Sequence, residues 1–226
     1  MFQRRSLLIL AMLASLLAAC GGGGAATPDA ESSAEGVASG QVPGPVAEIA
    51  TVSSKEVGGK AYVGPLNPPQ DGAVGMYLDT EGKFTAVMTA TGDAINRFSA
   101  VLTGEQAGQR FSAQGEGGFP RIYGRFEGGG FNLNITVFGG NALARVEPLN
   151  GLPGGIYTGE LNGLPAGLVL LPDGSFYGFA TVEGGDAPSY EELCLPDDLD
   201  LSSPPDELAA STCEAGDEVT LARLTQ

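Results

Sequence analysis

The sequence predicts an all-β protein: an antiparallel up-and-down meander that closes into a small β-barrel, with a β-sandwich as the alternative. Three observations point there. From Ala73 to Val182 apolar residues alternate with polar ones, and no helical period of useful length interrupts them. Gly-Gly, Asn-Gly and Asp-Gly pairs punctuate the alternation at hairpin spacing. Roughly ten short strands then follow one another without long connections, and a sheet of that kind removes its open edges by closing on itself.

The elements follow in order. Val46 to Gly72 is ambiguous: Ile49, Val52, Tyr62 and Val63 suit a strand or two, but Pro65, Pro68 and Pro69 break the pattern. Met76–Leu78 and Phe84–Met88 flank the turn Asp79-Thr80-Glu81-Gly82, and a strand over Phe98–Leu102 comes next. From Gln109 to Glu147, turns at Gly117-Gly118, Gly128-Gly129 and Gly139-Gly140 fix the registers. They set Ala113 against Ile122, Phe126 against Phe131, Ile122 against Ile135, Ile135 against Ala144 and Leu133 against Val146. One face is then apolar. The other carries Arg110, Ser112, Gln114, Arg121, Tyr123, Arg125, Asn132, Asn134, Thr136 and Arg145. A slip of one residue would scramble both faces.

Downstream, Asn162-Gly163 joins Ile156–Leu161 to Ala166–Leu171, and Asp173-Gly174 joins that strand to Ser175–Val182. This last hairpin pairs Leu171 with Phe176, Leu170 with Tyr177 and Leu168 with Phe179. It is apolar on both faces, so both must be covered, by the C-terminal segment or by the residues before Ala73. Met76–Phe84 and Leu168–Phe176 form a weak internal repeat of apolar strand, acidic turn with Gly, then Phe. The barrel domain is expected over 56–182. Residues 183–226 read as an acidic, Pro-rich segment. A short helix starts at Ser203-Pro204-Pro205-Asp206-Glu207 and runs to about Ser211. Val219–Leu224 returns as a final strand.

Composition excludes several functions. Among 226 residues there are 27 acidic and 11 basic ones, and no His or Trp. A histidine-based triad and a His-ligated zinc or haem are impossible within this chain. A net charge of −16 opposes nucleic-acid binding, which needs cations against phosphate. No carboxylate pair is singled out for a glycosidase, and the Gly-rich stretches sit in hairpins, not in a strand-to-helix phosphate loop. The chain is read as not an enzyme, with no cofactor and no metal. Asp197, Asp198, Asp200, Asp206 and Glu207 offer oxygens to calcium, but their spacing fits no EF-hand loop, and a solvated acidic loop is the preferred reading.

The N-terminus carries the most specific motif. Arg4 and Arg5 precede an apolar run from Leu7 to Leu17, then Ala18, Ala19 and Cys20. Leu7 to Ala19 is too short to span a bilayer, which takes roughly 20 residues; the pattern is that of an export signal, residues 1–19. Leu17-Ala18-Ala19-Cys20 resembles the lipobox of bacterial lipoproteins. That resemblance implies diacylglycerol on the Cys20 thiol, cleavage before it, and acylation of the new amine, palmitate among the chains. Gly21 resembles the outer-membrane default of Gram-negative lipoproteins. Several acyl chains suffice for stable anchoring. Residues 20–55 then form the lipidated Gly/Ala/Ser/Pro tether, of which Gly21 to Pro45 is too poor in apolar residues to order itself and reaches roughly 30 Å. In an exported chain Cys194 and Cys213 pair as a disulfide, worth about 3 kcal/mol through the loop it closes.

Charge is uneven. Arg97 to Leu149 holds five Arg and four acids, whereas Asn150 to Ala222 holds fourteen acids and no cation. Either the Arg-bearing face meets the acidic segment or solvent, or Arg110, Arg121, Tyr123, Arg125, Asn132, Asn134 and Arg145 surround a cup for an anionic or carbohydrate ligand. The motifs Gly155-Ile156-Tyr157-Thr158-Gly159 and Asp173-Gly174-Ser175-Phe176-Tyr177-Gly178 are similar to the barrel domains of surface lipoproteins such as transferrin-binding protein B. This resemblance implies a lipid anchor, a flexible leader and a small barrel used for protein contact. The sequence thus leads to a lipid-anchored envelope module that binds a protein or small ligand. A passive structural protein is the alternative, and a carboxylate-dependent hydrolase ranks below both.

Overall fold

The computed structural model describes residues 57–115, 118–184 and 189–224. The signal, Cys20, the tether, Ile49, Val52 and Gly117 lie outside the described residues. The all-β expectation holds, and the sheet does close, but into two barrels rather than one and not into a sandwich. The first barrel runs through β1 (Lys60–Pro65), β2 (Gly72–Leu78), β3 (Lys83–Ala90), β4 (Ala100–Ala107), β5 (Arg110–Gln114), β6 (Arg121–Glu127), β7 (Gly130–Val137) and β8 (Gly140–Pro148). Pairing of Tyr62 with Pro148 and of Val63 with Glu147 closes it. A 3-10 turn (Gly92–Ala94) and the one-turn helix α1 (Ile95–Phe98) link β3 to β4. The second barrel comprises β9 (Gly155–Leu161), β10 (Leu164–Leu170), β11 (Phe176–Val182), β12 (Ser189–Cys194), β13 (Glu207–Thr212) and β14 (Glu218–Arg223), closed by Leu221 against Gly159.

The division therefore falls between Pro148 and Gly155, and three strands of the second barrel come from the acidic C-terminal segment. The helix expected over 203–211 does not form; Glu207–Thr212 is strand β13. Leu208, Ala210 and Thr212 are buried while Glu207 and Ala209 are exposed, a period of two. Pairing with β14 and burial of Leu208 in the barrel outweigh the local helix-start signal. The expected disulfide joins Cys194 to Cys213 with a Cα–Cα distance of 5.2 Å.

Most registers in the first barrel follow the glycine turns. Ala113 faces Ile122, Ile122 faces Ile135 and Phe126 faces Phe131. The β7–β8 register differs by two residues: Ile135 faces Ala142, and Leu133 faces Ala144. The turn centres on Phe138-Gly139, where Gly139 alone takes positive φ, instead of Gly139-Gly140. A two-residue slip keeps every side chain on its face, so the apolar interior survives the error. The β10–β11 hairpin slips by one: Leu168 faces Gly178 and Leu170 faces Phe176. Leu171 N–H bonds to Ser175 O, and Gly174 N–H bonds back to Leu171 O, so the loop has three residues with Gly in the left-handed position.

Inside the first barrel, Tyr62, Phe131, Phe111 and Phe84 stack edge to face, with successive ring centroids 4.8, 5.1 and 4.9 Å apart. Gly124 leaves room for the Phe111 ring, into which a Cβ would project. The second interior is mostly aliphatic, with one fully buried ring, Tyr157, whose hydroxyl donates to Pro205 O at 2.9 Å, and Phe176 packed against it. Both interiors are filled by apolar side chains, unlike the polar lumen of a membrane-spanning barrel.

The apolar outer face of β10–β11 is covered by the first barrel. Val169 and Phe179 pack with Val63, Ala73 and Val87, while Leu168 and Leu170 face the second interior. The weak repeat meets itself here. Gly75 on β2 receives Ile156, 2.7 Å from where its Cβ would lie, and Gly167 on β10 receives Val87 at 2.7 Å. These are equivalent positions, each one residue before the repeat begins. Polar links flank the seam: Tyr177 donates to Asp71 at 2.8 Å, and Gly92 N–H donates to Glu192 at 2.7 Å.

Candidate binding surface

Strands β5–β8 bring all seven residues singled out in the sequence onto one outer wall of the first barrel. Cross-strand pairing arranges them in rows. Arg110, Arg125, Asn132 and Arg145 form one; Ser112, Tyr123, Asn134 and Leu143 the next; Gln114, Arg121, Thr136 and Asn141 the third. The expected cup is not there. The barrel interior is filled by the aromatic core, so these side chains stand on the outside and surround no cavity. A shallow depression of 270 Å³ lies on the wall, bordered by Thr103, Ser112, Gln114 and Tyr123.

The structure divides the seven. Arg145 and Asn132 are engaged within the barrel: Arg145 pairs with Glu147, donates to Asn132 Oδ1 at 3.0 Å and reaches Glu127 O, while Asn132 donates to Glu127 at 3.1 Å. Arg121 gives its Nε–H to Gly118 O at 2.7 Å and lies 5.3 Å from the Phe119 ring centroid. No carboxylate pairs with Arg110, Arg121 or Arg125 among the described residues. Arg110 stands directly opposite Arg125 across the β5–β6 ladder. Like charges so placed cost stability rather than adding to it. The acidic segment does not neutralise them: the ion pairs among the described residues, Lys83–Glu81 and Arg145–Glu147, are both local.

Apart from Tyr123, the apolar part of this surface was missed in the sequence. Phe119, Tyr123, Phe138, Leu143 and Leu152 are the exposed large hydrophobic residues among those described. The first four lie on or at the tips of β6–β8, and Phe138 is 83% exposed. Phe138 occupies a turn position where a polar residue is usual. Leu143 sits at an outward position between the buried Ala142 and Ala144. Both signals were legible once each strand's inward residues were fixed.

Of the acids considered for calcium, Asp200 turns its carboxylate to its own loop. Asp200 accepts from Ser202 N–H and from its hydroxyl, and that hydroxyl bond, first, holds the carboxyl below its ordinary range. Asp173 behaves likewise with Ser175. Among the described residues, no group of three or more Asp, Glu, Cys or His is placed to hold a metal ion. No family model matches the chain, and neither a curated protein nor a solved structure is significantly similar to it.

Proposed function

We propose that the chain is a lipid-anchored protein of the bacterial cell envelope, with its anchor at Cys20 in the outer membrane, and that it acts as a binding or accessory module through the β5–β8 wall. The observation that carries the binding role is a combination on one surface. Three arginines that have no carboxylate partner among the described residues, two of them face to face, adjoin four of the five exposed large apolar side chains described. Arg, Tyr and Phe are the residues that anchor protein contacts, and contiguous exposed apolar surface marks interaction sites. The partner is an envelope protein or an anionic or carbohydrate ligand. The lipid anchor rests on the sequence Leu17-Ala18-Ala19-Cys20 after a basic and apolar leader.

Crosslinking in whole cells tests both parts. A photoreactive amino acid at Tyr123 is expected to trap a partner, and Arg121→Ser with Arg125→Ser is expected to abolish the adduct while leaving the melting temperature unchanged. An adduct of equal yield in the double variant would end the wall as a contact surface. Separately, Cys20→Ala is expected to remove the protein from the membrane fraction in mature form. A mature, membrane-bound Cys20→Ala protein would refute the anchor.

A further inference from the structure

One seam of the second barrel is only partly zipped. Strands β12 and β13 pair at Leu193 with Thr212 and at Cys194 with Ser211, and Cys213 N–H adds a bond to Glu192 O at 2.8 Å. Continued in the same register, the ladder would set Pro196 against Ala209. Pro196 has no N–H to give, and its carbonyl is already taken by Leu199 N–H at 3.2 Å. The ladder therefore stops there. The alternation on β13 decides which peptide groups are left over. Asp206 bonds to Arg223, and Thr212 to Asp217, both towards β14. Leu208 and Ala210 therefore also turn their N–H and C=O to β14, and Glu207 and Ala209 turn theirs to the open side. Ala209 is exposed, and its register with β12 is absent. Beside it lies a cleft of 300 Å³ between Leu195, Pro196 and the outer side of β13–β14.

We propose that this open edge is a strand-addition site that takes an extended, Lys- or Arg-bearing segment of a partner polypeptide. The backbone of Glu207 and Ala209 supplies the ladder, as in other cases where a peptide joins a sheet edge. The charge selects the occupant: residues 195–222 hold eight acids and no Lys or Arg, with Glu207 on the edge strand and Glu218 lining the cleft. An acidic segment would be repelled, and a neutral one would gain nothing from this field. The Cys194–Cys213 bridge ends the zipped part and keeps the cleft from spreading. The site is independent of the arginine wall on the first barrel.

The test uses the whole mature chain, residues 20–226 with Cys20→Ser, its disulfide verified by mass. The probe is a fluorescein-labelled ten-residue peptide of alternating Lys and Val, read by polarisation. Saturable binding that weakens with salt is expected. The same peptide methylated on alternate backbone nitrogens, and an alternating Glu and Val peptide, are expected to bind at least tenfold more weakly. Ala209→Pro is expected to weaken binding by tenfold or more with an unchanged melting temperature. Hydrogen exchange in the unaltered chain gives a second readout: the Ala209 amide is expected to slow at least tenfold when the Lys-Val peptide is added. No binding of that peptide, equal binding of the methylated one, which would mean adhesion by charge alone, or an Ala209 amide that does not slow would each overturn the proposal.

Discussion

The two barrels begin alike and end differently. Each opens on a strand with an inward tyrosine followed two residues later by glycine, Tyr62-Val63-Gly64 and Tyr157-Thr158-Gly159. Each tyrosine hydroxyl donates to a backbone carbonyl, Val57 at 3.0 Å and Pro205 at 2.9 Å. Each glycine lies against a carbonyl of the strand that closes its barrel, Arg145 O in one and Thr220 O in the other. Beyond this start they diverge. Eight strands enclose a stack of rings, whereas six strands enclose mostly aliphatic side chains with one fully buried ring, because the bore of a barrel widens with strand number. The first closes by hydrogen bonds alone; the second adds a disulfide at its shortest seam. Their charges part as well. Residues 57–149 hold seven basic and eight acidic side chains, and residues 155–226 hold one and fourteen. The first barrel is thus nearly balanced in charge and the second strongly acidic.

The largest effects are expected at the shared closure. Gly64→Ala and Gly159→Ala each drive a methyl onto a backbone carbonyl that cannot move without opening the barrel. Each is expected to cost about 3 kcal/mol or more in urea unfolding. A severe Gly64→Ala beside a neutral Gly159→Ala would show that the two closures are not equivalent.

Removing the bridge with Cys194→Ser and Cys213→Ser is expected to cost about 3 kcal/mol. The loss should appear as faster amide exchange in β12–β14 with β1–β8 unchanged. Equal loosening of both barrels would mean that they unfold as one unit. At the seam between barrels, Gly75→Ala and Gly167→Ala press on movable side chains, Ile156 and Val87, and about 1–3 kcal/mol is expected for each.

The smallest effect is alkaline. Burial pushes the Tyr62 phenol up to about 12, and burial also raises Tyr157. The unfolded chain loses these protons from pH 10, while the folded chain keeps them. Stability is therefore full below pH 10 and falls as pH rises towards 12. Tyr62→Phe is expected to flatten that decline, while losing about 1 kcal/mol at neutral pH with the bond to Val57 O. An unaltered decline in Tyr62→Phe would place the alkaline sensitivity elsewhere.

The first barrel was far more legible than the second. In β5–β7, strict alternation and glycine turns leave one register that buries Phe111, Ile122 and Phe131 together. On β10–β11 both faces are apolar, so a one-residue slip costs nothing that the sequence displays. Only the packing of Val169 and Phe179 on the first barrel, with Leu168 and Leu170 inside the second, decides it. The arginine wall was legible as a face, since parity alone assigns it. Its convexity was not, because that depends on rings from four strands filling the interior.

Sequence by itself determined the class of fold, the outward face of β5–β8, the Cys194–Cys213 pair and the charge imbalance, since these follow from alternation, turn chemistry and composition. Tertiary structure alone decided the number of barrels and turned Glu207–Thr212 into a strand. It also left Ala209 without a partner across from Pro196. The reason is common to all three. Where a barrel closes depends on which distant strands fill one another's interiors, and a local signal such as the Pro-Asp-Glu helix start yields to that long-range burial.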